Sequence, residues 1–139
     1  MLRAMDATQA LADLTEISSQ VVDVAIIDQN GAIMATTAED PGRSERFVAG
    51  IAKLLEQAEA LGKARGLPDL AQLEAATLDG SVFVVRRNGR VIAATTRPDP
   101  TVGLVFYDLK HCLRSVEDGP SPAAKPARSS TRKKSDAPA

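Results

Sequence analysis

The chain has 139 residues and a formal net charge of −1, with 44% hydrophobic and 25% charged residues, which is typical of one soluble domain built around one core. Aromatic residues make up 3% of the chain and tryptophan is absent, so the core must be aliphatic and offers few surfaces on which bases or sugar rings could stack. This composition disfavours a nucleotide-binding or glycan-binding pocket.

Export and membrane insertion are disfavoured as well. No apolar segment follows the basic residue near the start, as a secretory signal requires, and no apolar run approaches the roughly 20 residues that span a bilayer. Cys112 is the single cysteine, so it cannot form an internal disulfide or build a zinc site on its own. We therefore expect a cytoplasmic protein.

Charge divides the chain into two parts. Residues 1–118 carry 12 basic and 17 acidic residues, whereas residues 119–139 carry five basic residues and one acid. Pro, Ser, Ala and Lys dominate the end of the chain without periodicity, which predicts a disordered tail over 118–139 after one domain over 1–117. The tail lacks aromatic residues and an amphipathic stripe, so we expect it to solubilise or tether the chain, not to bind nucleic acid or insert into a membrane.

The first predicted elements are a helix and a hairpin. Two apolar, β-branched runs at 22–28 and 32–37 predict strands, and Asn30-Gly31 between them favours a type I′ turn with positive φ at both central residues. The helix is predicted over residues 7–21 from apolar residues at three- and four-residue steps, namely Leu11, Leu14, Ile17 and Val21.

The longest predicted element is a helix over residues 44–65. Asp40-Pro41 can begin it, or Ser44 can cap it one turn later. Glu59 is expected on the solvent side, where Lys63 follows it at a favourable four-residue spacing. The apolar stripe of this helix comprises Phe47, Val48, Ile51, Leu54, Leu55, Ala58 and Leu61.

Three short strands are predicted next, at 72–78, 81–87 and 90–96. The dipeptides Asp79-Gly80 and Asn88-Gly89 separate them and favour hairpin turns, so the three strands should form an antiparallel meander beside the first hairpin. Thr101 can cap a final helix. Its buried stripe is expected to comprise Val102, Val105, Leu109, Cys112, Leu113 and Val116.

The predicted order is therefore α-β-β-α-β-β-β-α. Five antiparallel strands with helices on at least one face make an α/β domain of the α+β type, with two or three layers.

The sequence contains no arrangement that suits catalysis. His111 and Cys112 are neighbours on a helix and point about 100° apart, and Cys112 lies on the apolar stripe. Residues 28–31 spell D-x-x-G, but the phosphate-binding pattern G-x-x-x-x-G-K-[ST] is absent. The carboxylates are scattered, so we assign no catalytic, cofactor-binding or metal-binding residue and expect no cofactor.

Arginines flank the last predicted hairpin turn. Arg86, Arg87 and Arg90 could form a basic contact patch, but solvated turn charges are the favoured interpretation.

Self-association is suggested by the long helix. Its small residues Ala49, Gly50 and Ala52 lie beside the apolar stripe, and a five-stranded sheet leaves edges that need covering or pairing. We expect the long helix or an edge strand at a two-fold interface. The candidate interface residues are Phe47, Gly50, Ile51, Leu54, Leu55 and Ala58.

Three segments resemble the Roadblock family, which includes dynein light chain Roadblock and bacterial MglB-like domains. Residues 24–35 (VAIIDQNGAIMA) are similar to its first hairpin, residues 81–85 and 89–94 (SVFVV and GRVIAA) to its central hairpin, and residues 102–105 (VGLV) to the start of its last helix. Val102 stands where leucine is more usual, and the tail has no counterpart in the family.

The resemblance implies a profilin-like three-layer fold, a homodimer or heterodimer with a shared sheet, and a non-catalytic adaptor or regulator of a small Ras-like GTPase. Its partners would then be a second copy of the chain and the GTPase. The alternative is a PAS- or profilin-like sensory domain that binds a small ligand between sheet and helix, which the scarcity of aromatic residues and histidine disfavours. An enzyme that uses scattered carboxylates is the weakest hypothesis.

Overall fold

The computed structural model describes residues 6–117, so the predicted tail lies outside the described residues. Three helices and five strands follow one another in the predicted order. They are α1 (Ala7–Ile17), β1 (Val21–Ile27), β2 (Ile33–Thr36), α2 (Pro41–Ala64), β3 (Gln72–Thr77), β4 (Gly80–Arg87), β5 (Arg90–Thr96) and α3 (Val102–Glu117).

All five strands form one antiparallel sheet in the order β2-β1-β5-β4-β3. The predicted meander of β3, β4 and β5 is confirmed, and it joins the first hairpin through the pairing of β5 with β1. The sheet therefore has two edges, β2 and β3.

Helices cover both faces of the sheet, so the predicted three-layer α+β fold is confirmed. Alternate strand residues point to opposite faces, and α1 and α3 pack on the larger core, where the Phe83 and Phe106 rings meet edge to face at 5.0 Å. The second face carries a smaller core under α2. That core contains Ile27, Ile51, Val84, Val91 and Ala93, with Phe47, Val48, Leu55, Leu73 and Val82 packed around it.

The prediction for the first hairpin turn was wrong in its geometry. Gly31 has positive φ (85°) but Asn30 does not. The Asp28 carboxylate instead accepts the backbone N–H groups of Asn30 and Ala32, at 2.8 and 3.0 Å, and the pairing register shifts at Ile27. A side chain that bonds its own loop replaces the two-residue turn.

Of the other two turns, one matches the prediction. Asn88 and Gly89 both have positive φ, at 52° and 81°, as a type I′ turn requires. In the β3–β4 turn the central residues are Leu78 and Asp79, one position earlier than predicted, because Gly80 is already the first residue of β4 and pairs with Thr77.

Two helix boundaries also differ from the prediction. Helix α1 ends at Ile17, which is 62% exposed, and Val21 belongs to β1 and not to the helix. Val102 is 37% exposed at the start of α3, outside the buried stripe. Of the two possible starts of α2, the structure has Asp40 as the cap, with its carboxylate accepting the Gly42 N–H at 3.0 Å.

Candidate functional site

Helix α2 has a side that faces the sheet and a side that faces solvent. Ile51 is 3% exposed and lies against the sheet, between the flanking side chains of Phe47, Val48 and Leu55. On the outer side Ala49 and Gly50 are exposed. The helix therefore presents small residues to the solvent there, with the exposed residues Arg46 and Lys53 about one turn away from Gly50 on either side.

Packing within the described chain does not require a glycine at position 50. A Cβ atom built at this position meets no heavy atom within 4 Å, so packing inside the chain does not require glycine. Glycine in a helix interior is less favourable than alanine by about 1 kcal/mol. The absence of a side chain at this exposed position leaves room for close approach of an outside backbone or helix.

Gly50 begins a row of uncharged residues along α2, which we call the α2 row: Gly50, Leu54, Ala58 and Leu61. The spacing of four, four and three residues places them on one side of the helix. Ala58 and Leu61 also line a groove of about 500 Å³ with Leu67, in the loop that leads into β3. Leu61 and Leu67 are 69% and 61% exposed, so the apolar surface continues from the helix into the loop.

The structure separates the six predicted interface residues into three groups. Gly50 is exposed; Phe47, Leu54, Leu55 and Ala58 are half-buried; and Ile51 is buried under the helix. Ile51 thus supports the helix from below and has no surface to offer a partner.

Leu61 and Leu67 were missed as surface residues. Leu61 was predicted to be part of the apolar stripe of the long helix, but it lies in the last turns of α2, where it is 69% exposed. The closeness of Leu61 to the loop-forming sequence at 65–69 could have indicated that this leucine is exposed.

An ion pair fixes the opposite side of α2 to the sheet. Arg86 of β4 pairs with Glu59, and its side chain also donates from Nε and Nη2 to the Leu70 carbonyl, at 3.1 and 2.8 Å. The Arg86 hydrogen bond holds the pKa of Glu59 below its ordinary value. The predictions of a solvated Arg86 and of a solvent-side Glu59 were therefore wrong, because β4 passes directly beneath the end of α2.

The Arg86 contacts also determine where β3 begins. Besides the side-chain bonds to Leu70, the Arg86 backbone N–H donates to the Ala71 carbonyl at 2.8 Å. Strand β3 then pairs with β4 along its whole length and, within the described chain, has no partner on its outer edge. These bonds fix the segment between the end of α2 and the start of β3 against β4.

The two residues considered for catalysis, His111 and Cys112, make structural contacts in α3. Cys112 is buried, its Sγ lies 3.5 Å from the Ala10 carbonyl, and burial raises its pKa to about 12. The His111 ring stacks on Tyr107 with centroids 6.4 Å apart. Over residues 6–117, no group of three His, Cys, Asp or Glu residues could hold a metal ion, and no described helix is long and apolar enough to cross a membrane.

Comparison with known proteins identifies the family. A model of the Roadblock/LC7 domain matches residues 8–97. The chain belongs to the Roadblock/LC7 family. The resemblance to this family is thus confirmed. The match runs from α1 to the end of β5 and includes both hairpins that carried the resemblance, whereas the third segment, residues 102–105, lies beyond it. A search of curated proteins found no match to this sequence.

Solved structures of low sequence identity share the fold of this Roadblock/LC7 domain. A Roadblock/LC7 domain from Streptomyces avermitilis superimposes with a TM-score of 0.72 at 16% identity, covering 81% of this chain and 94% of that one. The gliding protein MglB from Thermus thermophilus gives 0.67 at 15% identity, covering 80% and 85%. LokiProfilin2, solved with rabbit actin, gives 0.54 at 16% identity, covering 79% and 95%, which agrees with the predicted profilin-like architecture.

Proposed function

We propose that this Roadblock/LC7 domain is a non-catalytic, dimeric adaptor in the cytoplasm that binds a small Ras-like GTPase and regulates it. Family membership supports the GTPase-regulating role. The observation that carries the proposal is the surface built from the α2 row and the open β3 edge. The row is apolar, it includes Gly50, which packing within the described chain does not require, and Arg86 ties the end of α2 to β4.

This surface suits a two-fold interface. Antiparallel pairing of two β3 edges would extend the sheet across both copies and satisfy the unpaired backbone groups of each edge. The α2 helices would then meet on the same face, and Gly50 would permit close approach of their backbones. Leu54, Leu61 and Leu67 would lose their contact with water there, at about 25 cal/mol per Å² of apolar area.

A regulator without catalytic groups can act on a GTPase only through differential binding. A partner that binds the GDP and GTP states equally shifts neither. A tenfold difference in affinity, about 1.4 kcal/mol, is enough to bias the nucleotide cycle. A partner with equal affinities would instead be a scaffold that sets the position of the GTPase.

The dimer is tested by the substitution Gly50→Arg, with Gly103→Arg as the matched control. Both glycines are helical and exposed, and neither has a heavy atom within 4 Å of a built Cβ, so both variants should fold. Light scattering should give twice the chain mass of 14.6 kDa for the parent and Gly103→Arg. Gly50→Arg should dissociate, with Kd raised at least about 100-fold. A dimeric Gly50→Arg, or a monomeric parent chain, would overturn the proposed interface.

The GTPase is tested separately, by titration of the parent dimer into a Ras-like GTPase encoded next to it. The affinity should differ between the GDP-loaded and GTP-analogue-loaded states at least about tenfold. Equal affinities would refute the regulatory role and leave the scaffold role, whereas absence of binding in both states would refute both roles for that GTPase.

One observation favours the alternative of a ligand-binding domain. On the other side of α2, a groove of about 510 Å³ between the helix and the sheet is lined by Glu56, Lys63 and Arg86. This is the size of a small-molecule site, but it is open and charged and has no aromatic residue in its lining. A thermal-shift screen against metabolites tests it, and a rise in Tm of several degrees with one compound would support the sensory role.

A further inference from the structure

The outer edge of β3 presents a defined set of backbone groups. The Arg86 N–H donates to the Ala71 carbonyl at 2.8 Å, and residues along an antiparallel ladder alternate between hydrogen-bonded and non-hydrogen-bonded pairs. The backbone groups of every second residue, beginning with Leu73, therefore point toward β4. The groups that point away from β4 belong to Gln72, Glu74 and Ala76. Glu74 is thus the central residue of the open edge.

Glu74 is also the only charged residue of β3. Its side chain is exposed, and within residues 6–117 it forms no ion pair. Leu73 packs against the core under α2, and neighbouring side chains of a strand point to opposite faces. Glu74 therefore projects from the face of the sheet that carries α1 and α3. A charge at the middle of an open edge restricts which strands can pair there.

Two-fold pairing of β3 would bring two copies of Glu74 close together. When a strand pairs antiparallel with its own copy, the symmetry places one residue opposite itself. At the middle of β3 this residue is Glu74 or Ala75. In the first register the two Glu74 side chains are directly opposite, with Cβ atoms about 5 Å apart. In the second, Glu74 faces the partner's Ala76 and lies about 7–8 Å from the partner's Glu74 on the diagonal. Both registers bring like charges together.

We propose that Glu74 determines which chains pair at the β3 edge: it weakens the pairing of two identical copies and favours an edge strand that presents Lys or Arg at the equivalent position. The inference rests on the dimer proposed above and specifies the chemistry of its preferred partner. Two unit charges about 7 Å apart in water change a dissociation constant about threefold. A cation in place of the second Glu74 turns repulsion into attraction, so the mixed dimer should be about tenfold tighter than the homodimer.

Mixing the parent chain with the Glu74→Lys variant tests the proposal. The two full-length chains, one of them ¹⁵N-labelled, are combined in equal amounts at about 10 mM salt, where the screening length is about 30 Å. Native mass spectrometry then measures the amounts of the two homodimers and the mixed dimer. Random association would make half of the dimers mixed. With a threefold effect of each charge pair, the mixed fraction should rise to about 0.9.

The matched control is Glu16→Lys, which makes the same charge change far from β3. Glu16 is exposed on α1, and α1 packs on β1 and β2, at the end of the sheet opposite β3. Its mixture with the parent should therefore contain about one half mixed dimer.

The outcomes separate the inference from the dimer on which it rests. A parent dimer that mixes at random with Glu74→Lys, or that favours Glu16→Lys equally, would overturn the inference and leave the dimer intact. A parent chain that is monomeric alone but dimerises with Glu74→Lys would support the inference. Absence of a dimer in every mixture would refute the proposed dimer and the inference with it.

The substitution Glu74→Gln gives a second measurement on one chain alone. It removes the charge and keeps the size of the side chain, so the Kd of the homodimer should fall about threefold at low salt, as measured by sedimentation velocity. Parent and variant should have equal Kd values in about 1 M NaCl, where the screening length falls to about 3 Å. A Kd of Glu74→Gln that equals or exceeds the parent value at low salt would overturn the inference.

Discussion

Gly80 is the position where one added methyl group should cost the most stability. Its φ is +151°, and a Cβ built there would lie 2.2 Å from the Thr96 carbonyl oxygen of β5. The obstructing atom belongs to the backbone of the next strand, so no side-chain rotation can relieve the clash. Backbone strain of about 1–3 kcal/mol and overpacking of about 1–3 kcal/mol together give an expected loss of about 4 kcal/mol for Gly80→Ala.

Urea unfolding measures this loss, with Gly66→Ala as the control. Gly66 also has positive φ (+71°), but a Cβ there meets nothing within 4 Å, so its replacement should cost about 1 kcal/mol from the backbone alone. With a slope of about 1.3 kcal/mol per M, the midpoints should fall by about 3 M and by less than about 1 M, respectively. Equal losses in the two variants would refute the reasoning, because the close approach of β4 to β5 would then have no energetic effect.

Three further outcomes follow from single side chains. Burial raises the pKa of Cys112 to about 12, so the native thiol should react with iodoacetamide at pH 8 at least about 100-fold more slowly than the thiol of the denatured chain. Equal reaction rates would contradict this. For the same reason the free energy of unfolding should fall as the pH rises above the unfolded thiol pKa of about 8.5. The Ser18 Oγ is buried and has no hydrogen-bond partner among residues 6–117, so Ser18→Ala should raise the free energy of unfolding by up to about 1 kcal/mol. A loss of stability in urea would contradict this. Arg86 lowers the pKa of Glu59, so Glu59→Gln should destabilise the domain at pH 7. The loss should be much smaller near pH 3, because the Glu59 carboxylate of the parent chain is protonated there and its contribution is lost. If variant and parent differed in free energy of unfolding by the same amount at both pH values, the ion pair would not contribute.

The order of elements could be predicted because it is encoded locally. Hydrophobic period and turn residues act over a few positions, so residues such as Asn88 and Gly89 specify their turn wherever the hairpin lies. The apolar spacing of α3 predicts its buried side as far as Val116 in the same way. The family resemblance rests on these local patterns, and it was sufficient to predict the layers of the fold.

Contacts between distant segments could not be predicted from such patterns. Glu59 has a suitable helical neighbour in Lys63, yet it pairs with Arg86, 27 positions away in sequence. The Asp28 carboxylate bonds to its own loop and changes the first turn, although the dipeptide Asn30-Gly31 favours another geometry. In both cases a side chain had two available partners, and packing determined which of them was in reach.

The sequence by itself determined the elements, their order, the aliphatic core and the absence of a recognisable catalytic motif, because each depends on residue type and short-range spacing. Only the tertiary structure decided which apolar residues remain exposed. Ile51 and Leu61 belong to the same helical stripe, but the sheet ends beneath one and leaves the other in solvent. The sheet order likewise leaves β3 as an open edge of the described sheet. Whether an apolar side chain is exposed depends on which element packs against it, and this is determined only when the strands have paired.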